Sequence, residues 1–168
     1  GGTIDDAAGE AFDKVASMLG LPYPGGPAIS RVALEGNPSA YRFPRPFLQE
    51  TDSLNFSFSG LKTAVRYEVA GTGQVDFGSL ELPASKVADV AASFQEAVVD
   101  CLVTKTFLAL KKQQRNRLCV GGGVAANGRL RERLESEAEA TGTELHIAPF
   151  SLCTDNAVMG AIAWERFK

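Results

Sequence analysis

The stretch of sequence that decides the fold is Leu118-Cys119-Val120-Gly121-Gly122-Gly123-Val124-Ala125-Ala126-Asn127. Its three apolar residues predict a short buried strand, and the glycines that follow predict a sharp turn into the next element. Residues 128–140 then have the spacing of an amphipathic helix, and residues 144–149 have the composition of a second strand. Because one helix connects the two strands, residues 117–168 predict a β-loop-α-β-loop-α unit with parallel strands in a layered α/β protein.

Helical periodicity dominates the sequence before this unit. Apolar residues recur every three or four positions from 84 to 113, which predicts one long helix with a core-facing stripe. The other predicted elements are a helix capped by Thr3 or Asp5 that ends near Gly20, helices over 28–34, 61–69 and 157–167, a strand over 54–60 and a loop over 71–82. We therefore expect a helix-rich α/β fold with a small mixed sheet.

The composition excludes several classes of protein. The chain has 168 residues, of which 17 are basic and 20 acidic, so its net charge of −3 argues against a strongly cationic nucleic-acid module. No apolar run reaches the roughly 18 residues of a membrane span, and no signal-peptide pattern opens the chain, so we expect a cytoplasmic protein with no membrane partner. The single histidine, His146, excludes a self-contained multi-histidine metal site and is predicted to be a partly buried strand residue. The cysteines Cys101, Cys119 and Cys153 are predicted to be small buried apolar residues.

The triple glycine Gly121, Gly122 and Gly123 is the first candidate site. Bare backbone N–H groups next to the start of a helix can bind a phosphate or another anion without a charged side chain. Gly121, Gly123 and Ala126 also fit the dinucleotide pattern GxGxxA, but the second strand ends in Ala-Pro-Phe with no acid to hold a ribose. A tight turn with no ligand is the third alternative, and Asn127 either contacts a ligand or caps the following helix.

Other polar residues are candidates by position. Asp155 follows the second strand at the same sheet edge, so it is either a metal-binding carboxylate or a helix N-cap. Glu10, Asp13 and Lys14 share a helix face, which favours a solvated face or an i,i+4 ion pair over a site. Gly26 lies in a Pro-Gly-Gly-Pro turn that could also wall a ligand cleft. No Ser-His-Asp set is present for a serine hydrolase.

Basic residues are clustered twice near the β-loop-α unit. Lys111, Lys112, Arg115 and Arg117 follow the long helix, where positive charge suits the helix dipole. Arg129, Arg131 and Arg133 are predicted to lie on a solvated helix face. Both clusters are candidate contributors to nucleic-acid binding.

The order of motifs along the chain resembles a known family. The motifs are DDAAGEAFDK at 5–14, YPGGP at 23–27, FSFSGLKTA at 56–64, AASFQ at 91–95, GGVAAN at 122–127 and CTDNA at 153–157. Each motif alone is weak, but six in this order resemble the tRNA threonylcarbamoyladenosine transferase family, formerly called glycoproteases. The resemblance implies an actin-like ATPase fold of two α/β lobes around a nucleotide cleft. It further implies that residues 1–36 form a helical segment at the boundary between lobes, that 37–168 form the second lobe, and that the first lobe is missing from this chain.

The resemblance also implies a reaction and a site. The family transfers a threonylcarbamoyl group from its adenylate to the exocyclic nitrogen of adenosine 37 in tRNA. It implies that Asp13, Gly26 and Asn127 contact the adenylate, that Gly121, Gly122 and Gly123 lie beside its phosphate, and that Glu10 lies near the ribose. Asp155 is implied to be one ligand of an iron or zinc ion. No residue is assigned as the catalytic residue.

The resemblance implies partners, and the sequence also departs from the family. The implied partners are tRNA, a paralogous actin-like subunit and a small ATPase. The other metal ligands of the family are two histidines of an HxxxH motif, which His146 does not match, and Ser30 stands where many members have an acid. We therefore expect these 168 residues alone not to modify tRNA. The alternatives are a non-catalytic nucleotide-binding scaffold, another actin-like ATPase or sugar kinase lobe, and the older peptidase assignment, for which no nucleophile or full metal triad is present.

Overall fold

The computed structural model describes residues 1–73 and 76–154. Within these ranges the chain forms a helix-rich α/β fold, whose longest element is one helix of 29 residues. The elements in chain order are α1 (Ala8–Met18), α2 (Gly25–Ala33), α3 (Ser59–Ala70), α4 (Ala84–Lys112), β1 (Arg117–Val120), α5 (Gly128–Thr141) and β2 (Glu144–Ile147). Short 3₁₀ turns lie at Phe77–Ser79, Gly123–Ala126 and Phe150–Leu152. The predicted helix over 157–167 lies outside the described residues.

The predicted β-loop-α-β arrangement is confirmed. Strands β1 and β2 pair in parallel with Leu118 opposite Leu145 and Val120 opposite Ile147. Arg117 and Glu144, which lie opposite each other at the first position of the register, form an ion pair of 2.8 Å. The expected mixed sheet is wrong for the described residues, since the one sheet they contain has two strands, both parallel.

Helix α4 connects two hydrophobic cores. The larger core lies where α1, α2 and α3 pack around the first half of α4, with Phe12 against Phe94 at a ring-centroid distance of 5.1 Å. The smaller core lies between the second half of α4, helix α5 and the strands, around Val99, Val103 and Leu134. Because one continuous helix contributes to both cores, it fixes the position of the glycine turn relative to α1 and α2.

Two predicted element boundaries are wrong for identifiable reasons. Within the predicted strand over 54–60, Phe56 makes a single bridge, to Thr3, because no described neighbouring strand continues the ladder, and Ser59 and Gly60 already belong to α3. Helix α2 begins at Gly25, three residues before the predicted start, with Pro24 as its N-cap. Proline and glycine are tolerated there because the first-turn N–H groups have no intrahelical partner.

The predicted cap of the first helix is also wrong. Helix α1 begins at Ala8 with Ala7 as N-cap, and the side chain of Glu10 accepts a hydrogen bond from the Ala7 amide. Asp5 instead caps α3, since its carboxylate accepts hydrogen bonds from the amides of Phe58 and Ser59 and from two serine hydroxyls. The sequence pattern alone does not distinguish a local cap from one 53 residues away.

Burial of the cysteines and of His146 differs partly from the prediction. Cys101 and Cys153 are buried as predicted, but Cys119 is exposed, and so is its strand partner His146. Both side chains lie on the face of the sheet that α5 does not cover. Burial raises the pKa of the Cys101 thiol to about 11, which keeps it protonated at neutral pH and suits a core residue rather than a nucleophile.

No helix within the described residues is both long and apolar enough to cross a membrane.

Asp6 joins the N-terminal segment to α1 and α3. Its carboxylate accepts from Lys14 at 2.8 Å and from Lys62 at 2.7 Å, and its side chain is 14% exposed. The hydrogen bonds from Lys14 and Lys62 hold the pKa of Asp6 below its usual value. The ionised Asp6 carboxylate therefore stabilises the folded state. This stabilisation is complete above the unfolded-chain pKa of about 3.9 and is lost as the pH falls towards the lower native pKa.

We therefore predict that Asp6→Asn lowers the free energy of unfolding at neutral pH and that the difference from the parent chain shrinks below about pH 4. Urea unfolding followed by circular dichroism between acidic and neutral pH measures this difference. Asp52→Asn is the matched control, because Asp52 is fully exposed and 3.9 Å from Lys112, and its removal is expected to change stability by less than about 0.5 kcal/mol. If the difference in the free energy of unfolding between Asp6→Asn and the parent chain does not vary with pH, the ionised Asp6 carboxylate is not the source of the stabilisation.

Candidate functional site

A cavity of about 460 Å³ brings together residues from both cores of the protein. Its walls come from α1, from the start of α2 and from the turn between β1 and α5. It is lined by Gly9, Phe12, Asp13, Pro24, Gly26, Pro27, Ser30, Gly123, Val124, Ala126, Asn127 and Thr154. Four residues singled out in the sequence, Asp13, Gly26, Gly123 and Asn127, therefore lie around one cavity although they are up to 114 positions apart.

Asp13 and Gly25 fix the contact between α1 and α2. The Gly25 amide donates to Oδ1 of Asp13 at 2.8 Å. A Cβ at position 25 would lie 2.6 Å from the Asp13 Cα and 2.8 Å from the Ala16 Cβ, so the close approach of the helices requires glycine. A Cβ at Gly26 would meet nothing within 4 Å, so the cavity wall there is bare backbone. Oδ2 of Asp13 has no partner within the described residues and can accept a hydrogen bond from a ligand.

The glycine turn presents backbone donors to the same cavity. Gly122 has φ +94°, a conformation that favours glycine, and residues 123–126 follow as a 3₁₀ turn. The amides of Ala125 and Asn127 donate within the turn, whereas those of Gly123 and Val124 have no acceptor within the described residues. Gly121 and Gly122 are exposed and outside the cavity lining. The turn therefore offers two backbone donors beside the N-terminus of α5, an arrangement suited to an anion.

Glu10 does not line the cavity. Its carboxylate pairs with Lys14 at 2.7 Å, and its side chain is 51% exposed. The hydrogen bond from Lys14 lowers the pKa of Glu10. The predicted i,i+4 ion pair is thus confirmed.

Asn127 is the best-connected polar residue of the site. Its Oδ1 accepts from the Leu130 amide at 2.9 Å, which confirms the predicted cap of α5. Its Nδ2 donates to Ser30 Oγ on α2 and to Gln95 Oε1 on α4, both at 2.8 Å. Gln95 lies on the apolar stripe of α4, where helical spacing indicates core, so periodicity alone does not assign it to the site, although it ends the motif at 91–95. A polar residue on such a stripe is the one sequence feature that could have marked it.

The predicted solvated face of α5 is wrong. Arg129 and Arg133 both pair with Glu96 on α4, at 2.7 and 2.6 Å, which lowers the pKa of Glu96. Arg131 donates to the carbonyls of Ala125 and Ala148, both at 2.6 Å, and its guanidinium lies 4.0 Å from the Phe150 ring centroid. The three arginines therefore hold α5 to α4 and to the turns that follow β1 and β2.

The proposed metal ligand Asp155 lies outside the described residues. Among residues 1–73 and 76–154, no group of three or more histidine, cysteine, aspartate or glutamate side chains could hold a metal ion. The donor set in this part of the chain therefore does not fit a complete metal site. Thr154, the residue before Asp155, lines the cavity.

A second cavity, of about 640 Å³, lies on the other side of Ser30. Its lining includes Leu34, Gln95, Glu96, Arg129 and Glu132. The Arg129–Glu96 and Arg129–Glu132 ion pairs pair three of its charged side chains with one another, and Arg31 is the fourth charged residue of the lining. Its lining contains no donor of the glycine turn and none of the residues expected to contact the adenylate or a metal, so we assign the candidate site to the smaller cavity.

A glycine turn and a capped helix N-terminus lie together at the edge of a parallel sheet, an arrangement that suits an anionic ligand. A model of the TsaD family, described as tRNA N6-adenosine threonylcarbamoyltransferase, matches residues 1–162. The chain belongs to this family.

Relatives across the bacteria carry the same description. The chain is 56% identical to the tRNA N6-adenosine threonylcarbamoyltransferase of Rhodopirellula baltica and 53% identical to that of Thermotoga neapolitana. Both matches cover 100% of this chain and 49% and 48% of the respective relative. A match to the protein of Albidiferax ferrireducens is 50% identical and covers 97% of this chain and 46% of the relative. The chain thus spans about half the length of the curated relatives it matches.

Proposed function

We propose that this chain is the C-terminal part of a transferase that moves a threonylcarbamoyl group from threonylcarbamoyl-adenylate to the exocyclic nitrogen of adenosine 37 in tRNA. The observation that carries the proposal is the cavity lined by Asp13, Gly26, Gly123 and Asn127 in a chain of the TsaD family. In this proposal the chain contributes one lobe of an actin-like fold, with residues 1–36 at the lobe boundary and residues 37–168 as the lobe itself.

The residues around the cavity suit an adenylate ligand. The bare backbone at Gly26 lets the flat face of a nucleoside approach α2. Oδ2 of Asp13 accepts a hydrogen bond from a hydroxyl or amino group, while Oδ1 stays bonded to the Gly25 amide. The amides of Gly123 and Val124 donate to the phosphate.

The proposed reaction requires little from side chains. The adenosine amine attacks the carbamoyl carbonyl carbon, a carbon–nitrogen bond forms, and the carbon–oxygen bond to the phosphate breaks, releasing AMP and a proton. Negative charge develops on the leaving phosphate, so donors already oriented towards it lower the barrier. A side-chain nucleophile is unnecessary, which agrees with the buried, protonated Cys101.

Further parts of the machinery are proposed from the family alone. Asp155 is proposed as one ligand of an iron or zinc ion, with the other ligands supplied by histidines outside this chain. The described residues alone do not form a site for this ion. The proposed partners are tRNA, a paralogous actin-like subunit and a small ATPase, and the proposed compartment is the cytoplasm.

We predict that Gly26→Val lowers the affinity for AMP by at least tenfold and leaves the free energy of unfolding within about 1 kcal/mol of the parent. The valine side chain would fill part of the cavity without a clash, since a Cβ there meets nothing within 4 Å. Titration calorimetry and urea unfolding provide the two measurements.

Gly60→Val is the matched control. Gly60 is also the second residue of its helix, and a Cβ there likewise meets nothing within 4 Å, but it lies outside the cavity. AMP affinity that is unaffected by Gly26→Val would reject the assignment of the cavity.

We further predict that these 168 residues alone do not modify tRNA, whereas a chimera with the N-terminal half of the Rhodopirellula baltica protein does. The chimera adds the part of the Rhodopirellula baltica protein that the match does not cover. The assay gives threonylcarbamoyl-adenylate, tRNA and, in parallel, the partner subunits, and detects the modified nucleoside by mass spectrometry.

Asp155→Ala in this chimera is expected to remove the bound metal, measured by elemental analysis. Unchanged metal content would reject the role of Asp155. A chimera that binds AMP but transfers nothing would favour the non-catalytic scaffold, and transfer by the 168 residues alone would show that they are sufficient.

A further inference from the structure

We propose that Gln95 is a positioning residue that makes Ser30 a hydrogen-bond acceptor towards the cavity, so that the site selects a ligand with a hydroxyl or amino donor at that wall. The inference rests on the proposed nucleotide site. It concerns two residues that have no role in the preceding proposal.

Ser30, Gln95 and Asn127 form a hydrogen-bonded cluster, and the directions of its hydrogen bonds follow from one backbone donor. The Leu130 amide donates to Asn127 Oδ1, so the amide group of Asn127 has a fixed orientation and Nδ2 faces the other way. Both Nδ2 hydrogens are then donated, one to Ser30 Oγ and one to Gln95 Oε1. Gln95 must therefore present its oxygen, and not its nitrogen, to the cluster.

The Ser30 hydroxyl has a single proton, and this proton is donated within the cluster, to Gln95. Ser30 Oγ lies 2.9 Å from Gln95 Oε1, and two oxygens at this distance need a proton between them, so Ser30 donates to Gln95. Ser30 Oγ also accepts from Asn127, which leaves one lone pair. Since Ser30 lines the cavity, what it offers a ligand is an acceptor.

Gln95 is held firmly enough for this role. It is 7% exposed, on a helix whose neighbouring residues pack in the larger core. An apolar residue of similar size at position 95 would release the Ser30 proton, and the hydroxyl could then donate to the ligand instead. The carboxylate of Gln95→Glu would still accept from both Ser30 and Asn127, so this variant is the conservative replacement.

AMP offers three donor groups that could meet Ser30: the 2′-hydroxyl, the 3′-hydroxyl and the adenine amino group. The experiment compares AMP with 2′-deoxy-AMP, 3′-deoxy-AMP and inosine monophosphate, each of which lacks one of these donors. Affinities of the 168-residue chain and its variants are measured by titration calorimetry.

We expect one analogue to bind the parent chain about five- to tenfold more weakly than AMP, which corresponds to one hydrogen bond. The ratio of the AMP affinity to the affinity for that analogue is expected to fall to about one in Ser30→Ala. It is expected to fall also in Gln95→Met and to be retained in Gln95→Glu, which separates the positioning role from general stability.

Ser93→Ala is the matched control. Ser93 is a buried α4 serine whose hydroxyl bonds to Asn37 and Tyr41, away from the cavity. Its loss is expected to lower the melting temperature and leave the affinity ratio unchanged.

Each contrary outcome has a distinct meaning. A parent chain that binds none of the four nucleotides overturns the proposed nucleotide site and this inference with it. AMP binding with equal affinity for all four overturns the inference alone. A ratio that persists in Gln95→Met overturns the role of Gln95, and one that persists in Ser30→Ala overturns that of Ser30.

Discussion

The rest of the site depends on the side chain of Asn127. Its oxygen caps α5, and its nitrogen bonds to Ser30 on α2 and to Gln95 on α4. Three helices from two hydrophobic cores thus meet at one amide, and each of its bonds is internal to the protein. A buried amide with all three bonds made stabilises one arrangement of the helices, because any other leaves a polar group unsatisfied. The cavity has a defined shape for that reason.

A second polar residue extends this arrangement to the edge of the sheet. Arg131 connects the carbonyl of Ala125, which follows β1, with that of Ala148, which follows β2. It also donates to Cys153 Sγ at 3.2 Å. The turns after the two parallel strands are therefore held together by one guanidinium, whose five donors suit several fixed acceptors. The segment leading to Asp155 is thereby tied to the glycine turn.

Periodicity and glycine placement predict much of this fold, because both reflect backbone geometry that is local in sequence. The long helix over 84–113, the parallel strands and the cap of α5 by Asn127 follow from such patterns. What the patterns miss is set by partners distant in sequence. Asp5 caps a helix 53 residues away, and Gln95 bonds to a residue 32 positions on. The arginines of α5 likewise have the spacing of a solvated face, and their acids on α4 are visible only in the fold.

The measurement that tests the central claim most directly is amide chemical-shift mapping of the ¹⁵N-labelled chain during titration with AMP. If the nucleotide binds where α1, α2 and the glycine turn meet, the largest shifts fall on Asp13, Gly26, Gly123 and Asn127. Shifts confined to the second cavity, around Leu34 and Glu132, or the absence of any shift at saturating AMP, would contradict the account.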